Sequence, residues 1–308
     1  MRRAFVESLC LLAEKDPRIV FLTGDLGYGV FDDFIARFGP RYINAGIAEA
    51  QLVCAAAGLA KEGYRPLVYS IASFMTGRPF ELIRISIAYA GLPVIVVGAG
   101  GGYCYANSGV THHAAEDLAL MSLLPGMTVT APGDPGEVRA LLPQLAALPG
   151  PSYVRIGKFG EPSYASDEPV VVGQARWLRQ GTRGVTLVTT GDLAVPALEA
   201  ADKVQRERGW SPTVVQFHTV KPLDEAALGR LAQDTHTLFV AEEVCPQGGL
   251  AAAITEWMVR TGTRMKFRRL GPPDAFVLGN PRLETVRKKF GYNAVALFEA
   301  CLAAVTPA

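Results

Sequence analysis

The chain has 308 residues, 49% of them apolar and 19% charged, and a formal net charge of +1. That length has room for two domains with substantial cores. The near-neutral balance, without a basic block or an apolar run long enough to cross a bilayer, excludes nucleic acid and membranes as expected partners.

Residues 4–14 read as an amphipathic helix, because Glu7 and Glu14 interrupt the apolar residues that follow Arg2 and Arg3 and make a poor signal peptide. Ile19–Thr23 is a short apolar run that suits a buried strand. In the stretch 41–60, Asn44 or Gly46 is suited to cap a helix. From Ile47 to Ala60 that helix is apolar on every side, which predicts burial. Glu49 is the lone charge between Arg41 and Lys61. A buried carboxylate needs a partner; the alternative is an exposed first turn, where the helix dipole favours an acid.

A strand at Arg65–Ser70, a helix over 79–90 and a strand at Pro93–Val97 come next, the last running into Gly98-Ala-Gly-Gly-Gly102. This glycine run has the wrong spacing for a dinucleotide fingerprint, but a loop after a parallel strand is where open α/β sheets bind ligands. Helix 114–122, strand 127–131, helix 134–147 and strand 150–156 complete a first domain, residues 1–160. Residues 161–175 read as a linker. In the second domain, 176–308, strands are expected at 185–190, 213–217, 237–242 and 265–270. Its helices are expected at 193–208, 224–233, 249–260 and 294–305. The alternation predicts an α/β fold with two domains, each a mostly parallel sheet flanked by helices. The five scattered cysteines lack metal-type spacing and suit a reduced, cytoplasmic protein; Cys104 falls in the glycine-rich loop.

Ala45-Gly-Ile-Ala-Glu-Ala-Gln51 resembles the segment carrying the cofactor-activating glutamate of transketolase and 1-deoxyxylulose-phosphate synthase. The resemblance extends in order through Ser73-Phe74, Thr111-His112, Glu116-Asp-Leu-Ala119, Pro151-Ser-Tyr-Val-Arg155 and His218-Thr-Val-Lys-Pro-Leu223. It covers the pyrimidine-binding and C-terminal domains of that family. It therefore implies a thiamine diphosphate enzyme, with Mg and the diphosphate held mainly by a separate N-terminal subunit and self-association within an α2β2 heterotetramer. The Gly24-Asp25-Leu26 stretch and Asn44 imitate the family's diphosphate motif poorly, and are not read as one.

The resemblance gives Glu49 the catalytic role of sharing a proton with the cofactor's aminopyrimidine. It places Phe74 against that ring and gives His112 contact with substrate hydroxyls; His113 is a weaker candidate. Arg78 and Lys158 stand where relatives place cations for a substrate phosphate, with Arg155 nearby either to share that role or simply to cap the strand end. Lys158 replaces the more usual Arg and so lacks the bidentate fork. Gly100 and Ser108 depart from the family at two sugar-contact positions, which brings Tyr103, Tyr105 and Asn107 forward as substitutes. The reaction implied is transfer of a two-carbon ketol unit from a ketose phosphate to an aldehyde. Two other readings stay open: a subunit of a 2-oxo acid dehydrogenase-like or acyl-transferring thiamine enzyme, and a non-catalytic scaffold. His218, Glu242 and Glu243 receive no role.

Overall fold

A computed structural model describes residues 1–158 and 160–305. Phe159, next to the expected linker, and residues 306–308, at the end of the expected second domain, lie outside the described residues.

The chain opens with α1 (Arg2–Lys15), β1 (Ile19–Thr23), α2 (Asp32–Phe38) and β2 (Tyr42–Asn44). Next come α3 (Glu49–Lys61), β3 (Arg65–Ile71), α4 (Ala72–Gly77) and α5 (Phe80–Leu82). The last continues as a wider π-helical segment, Ile83–Tyr89. After β4 (Ile95–Ala99) the glycine-rich loop leads to α6 (Asp117–Ser122), β5 (Thr128–Thr130), α7 (Pro135–Ala147) and β6 (Ser152–Ile156).

The second half begins with β7 (Arg176–Arg179), β8 (Val185–Thr189), α8 (Ala194–Arg208), β9 (Thr213–Gln216) and β10 (Thr219–Lys221). It ends with α9 (Glu225–Asp234), β11 (Thr237–Ala241), α10 (Gly249–Thr261), β12 (Lys266–Leu270), α11 (Leu283–Lys289) and α12 (Ala294–Val305).

The first sheet runs β10-β5-β6-β4-β3-β1-β2, and all its pairings are parallel except that of β10 with β5. Its central strands are apolar on both faces because helices cover both. Val20 and Leu22 of β1 pack with α3 and α6, whereas Ile19 and Phe21 pack with α1 and α7. The second sheet runs β12-β11-β8-β9-β7, with only β7 antiparallel. Its free edge, β12, carries exposed Lys266 and Arg268, charges that discourage edge pairing.

Three findings differ from the sequence reading. The short elements α2, β2, α4, β7, β10 and α11 have no counterpart in it. Helix α3 starts at Glu49 after Ala48, not at Ile47, because the Asn44 side chain is engaged elsewhere: its Oδ1 accepts from the backbone N–H of Asp25 (3.0 Å) and of Gly46 (2.9 Å). That helix is also not buried all round. Leu52, Val53, Ala56, Ala57 and Ala60 face the core, but Ala50, Gln51, Cys54 and Gly58 are exposed, since no other described element of this chain covers them.

Candidate functional site

Each candidate side chain except Arg155, which lies within β6, follows the carboxyl end of a strand in the first sheet. Glu49 follows β2, Phe74 and Arg78 follow β3, the loop with Tyr105 and His112 follows β4, and Lys158 follows β6. These strands lie side by side or one apart in the sheet, so their ends share one rim.

Glu49 is the first residue of α3 and is only 3% exposed. Its carboxylate has two partners. Ser70 Oγ, near the end of β3, donates to Oε1 at 3.1 Å, and Arg78 donates to Oε2 at 3.1 Å. The guanidinium of Arg78 also lies over the Phe74 ring, 4.3 Å from its centroid. Phe74 meets the His112 ring edge-on at 5.0 Å, and the Tyr105 ring lies tilted 5.7 Å from that of His112. The Lys158 ammonium stands 3.9 Å from the Tyr105 ring centroid. Glu49, Arg78, Phe74, His112, Tyr105 and Lys158 thus form one unbroken line of contacts.

His112 is anchored from behind. Its Nδ1 shares a hydrogen bond with Thr111 Oγ1 (2.9 Å), and Ser73 Oγ donates to the Thr111 carbonyl (3.1 Å). Burial, and then the positive charges of Lys158 and Arg78, hold its pKa below the ordinary imidazole value. Burial lowers the Lys158 ammonium too, followed by repulsion from Arg2. Burial pushes the Tyr105 hydroxyl up, and it pushes the Cys104 thiol well above its usual value, which keeps both protonated at neutral pH.

Two candidates stand apart from this line. His113 is buried; its ring packs against Tyr103 at 5.1 Å and its Nε2 meets the Ala106 carbonyl at 3.3 Å. Arg155 corrects the expectation that its charge is offered to a substrate phosphate. Its guanidinium is buried and clasped by Asp117, with further donation to the carbonyls of Glu243 (3.2 Å) and Ala114 (3.4 Å). Asp117 is itself buried and also accepts from Tyr153 OH at 2.6 Å, so this pair belongs to the core. Asp117 lies inside Glu116-Asp-Leu-Ala119, but nothing in that segment points to its partner.

The glycine run is a packing device. Cβ atoms at Gly100, Gly101 and Gly102 would collide with the side chains of Tyr105, Arg155 and Glu243 respectively. Tyr105 therefore folds back onto Gly100 and reaches His112, whereas Tyr103 is buried and Asn107 is exposed. Asp25 and Asn44 do meet, Asn44 Nδ2 donating to Asp25 Oδ1 at 3.1 Å. Among the described residues, no group of three or more His, Cys, Asp and Glu side chains is placed to hold a metal.

In chemical terms, Arg78 occupies the space between a buried carboxylate and an aromatic face. Its guanidinium is flat, donates an N–H to Glu49 and stacks on Phe74. A flat, amino-bearing heteroaromatic ring satisfies the same two partners, and Glu49 could then share a proton with it.

Residues 1–159 match the family described as "Transketolase, pyrimidine binding domain", and residues 173–296 match "Transketolase, C-terminal domain". The chain is 35% identical over 305 residues to the 6-deoxy-6-sulfo-D-fructose transketolase subunit of Clostridium sp. (strain MSTE9), covering 97% of this chain and 92% of that one. It is 32% identical over 280 residues to one subunit of the apulose-4-phosphate transketolase of Phocaeicola vulgatus, covering 90% of this chain and 88% of that one. Among solved structures, a split-gene transketolase in an inactive β4 tetramer superposes with a TM-score of 0.89 at 34% identity, covering 99% of this chain and 97% of that one. With both domains matched, and with relatives of similar length that are themselves transketolase subunits, this chain belongs to the transketolase family.

Proposed function

We propose that this chain is the pyrimidine-binding subunit of a split transketolase that uses thiamine diphosphate to move a two-carbon ketol unit from a ketose phosphate to an aldehyde. One observation carries the reading: the Arg78 guanidinium sits on both Glu49 and Phe74 as the cofactor's aminopyrimidine would. When bound, thiamine diphosphate supplies the nucleophilic carbon and the electron sink that an α-hydroxyketone cleavage requires.

The residues of this chain divide the remaining work. Glu49 would hold the ring through its N–H and exchange a proton with it, while Ser70 Oγ holds the other carboxylate oxygen. Phe74 supports one face of the ring. Arg78 is 54% exposed at its side chain and regains water when it leaves, whereas Glu49 is buried and needs the ring in its place. Once displaced, Arg78 is free to meet the donor's phosphate, with Lys158 as the second cation. His112, neutral at pH 7, orients a donor hydroxyl, and Tyr105 fills the cleft beside Gly100. The diphosphate and Mg are assigned to a separate subunit. This division is supported by the two relatives of similar length that carry the name of subunits.

The test is reconstitution with the diphosphate-binding chain from the same source, followed by assay of thiamine diphosphate uptake and ketol transfer. Glu49→Gln is expected to lower turnover about 10²- to 10⁴-fold, the span of a lost proton-transfer group. Turnover equal to wild type would overturn the assignment.

A further inference from the structure

The two adjacent acids to which the sequence assigns no role point in different directions. Glu242 serves its own domain. Its Oε2 accepts from the N–H groups of Leu250 (2.8 Å) and Ala251 (3.2 Å) at the start of α10, and Oε1 accepts from Arg269 at 2.9 Å. Glu243 reaches across to the other domain. Its Oε2 accepts from the backbone N–H of Tyr103 at 3.1 Å, and its Oε1 accepts from Arg287 Nε at 2.6 Å. Arg287, from α11, in turn holds both carboxylate oxygens of Asp192 at 2.8 Å. Glu243 and Arg287 are 4% and 5% exposed, a costly burial for two charges unless the geometry is well satisfied.

What they hold is the base of the loop bearing Tyr105 and His112. Gly102 and Ala114 close that base with reciprocal backbone hydrogen bonds of 3.1 and 2.8 Å. The lack of a Cβ on Gly102 makes room for the Glu243 carboxylate. Tyr103, Ala106 and Ala115 then pack against Val277 and Val286 of the second half. The loop that carries Tyr105 and His112 is thus seated on the C-terminal domain.

We propose that Glu243 and Arg287 are positioning residues that set the loop carrying Tyr105 and His112 against Phe74, so that the C-terminal domain tunes substrate recognition in the other domain. The consequence for catalysis rests on the proposed function; the seating of the loop does not. Neither residue touches the Glu49–Phe74 end of the line of contacts, so their loss acts on the sugar and spares cofactor uptake.

The experiment uses Glu243→Gln and Arg287→Lys in the full chain, alone and assembled with its diphosphate-binding partner. Amide hydrogen exchange over residues 103–113 of the lone chain is expected to quicken about tenfold or more, the scale of one lost charge-assisted hydrogen bond, while β11 and α3 exchange as in wild type. In the assembled enzyme the KM for the ketose phosphate is expected to rise about tenfold with thiamine diphosphate affinity unchanged, the same factor carried to the substrate. Unchanged loop exchange in the folded variants, or acceleration spread evenly through β11 and α10, would overturn the proposal. Arg287→Lys preserves both charges and decides the matter if Glu243→Gln does not fold. An assembled wild type without thiamine chemistry would overturn the proposed function alone, because loop exchange is read without cofactor.

Discussion

His112 is subject to two pressures of the same sign: burial, and then the neighbouring cations, Lys158 first and Arg78 after it. Both favour the neutral ring. An NMR titration of the imidazole is expected to give a pKa below the ordinary value of about 6.5. Lys158→Met should raise it without restoring that value, because burial is the larger cause and remains. The sign for stability follows from the same shift. A depressed histidine contributes stability that is fully present above about pH 6.5 and is lost as pH falls through the folded value. Urea denaturation of wild type against His112→Gln should therefore show a difference that shrinks on acidification. A His112 pKa at or above the ordinary value would contradict the placement. At this scale much is legible, because Glu49, Phe74 and His112 sit inside short segments with a strong resemblance. What no segment reveals is capture by a distant partner. Arg155 reads as an available cation, yet Asp117, 38 residues away in sequence, holds it.

Between residues and domains, the longer parallel strands and helices are readable because burial on both faces leaves continuous apolar runs such as Ile19–Thr23. The elements that escape such a reading, α2, β2, α4, β7, β10 and α11, have three to seven residues each, too few to establish a period. Strand β7 shows what fixes such a piece. Its first residue, Arg176, donates to Glu137 of α7 at 2.6 Å and to the Glu168 carbonyl at 3.2 and 3.0 Å. Glu137 also completes a helix cap: Asp134 accepts from its N–H at 2.8 Å, while its own Oε2 accepts from the Gly133 N–H at 2.7 Å. Arg176→Met leaves Glu137, 1% exposed, without its cation. Urea denaturation is expected to show a loss of about 3–5 kcal/mol, the penalty for half of a buried pair. Adding Glu137→Gln should recover part of that loss, because the orphaned charge is removed. A loss of under about 1 kcal/mol for the single variant would place the pair among surface ion pairs, against its burial.

Across the whole molecule, the sequence divides the chain more cleanly than the fold does. Strand β10 comes from the second half but extends the first sheet, where Thr219 lies opposite Thr130. The Ala131 N–H donates to the His218 carbonyl at 2.8 Å, and Lys221 Nζ donates to the carbonyls of Ser122 and Leu124 at 2.9 and 2.6 Å. With the Glu243–Tyr103 bond and the Arg176–Glu137 pair, the halves share polar partners at several separate places. Opening one half alone would strip partners from buried groups in the other, at a cost well above that of a polar domain contact. The halves should therefore unfold as a single unit. All three tryptophans, Trp177, Trp210 and Trp257, belong to the second half, so their fluorescence reports on it alone, whereas far-ultraviolet circular dichroism reports on both. In urea the two signals are expected to give coincident transitions with one midpoint. A fluorescence transition displaced from the dichroism transition would mean that the shared strand and ion pairs couple the halves too weakly for the C-terminal half to hold the cleft loop.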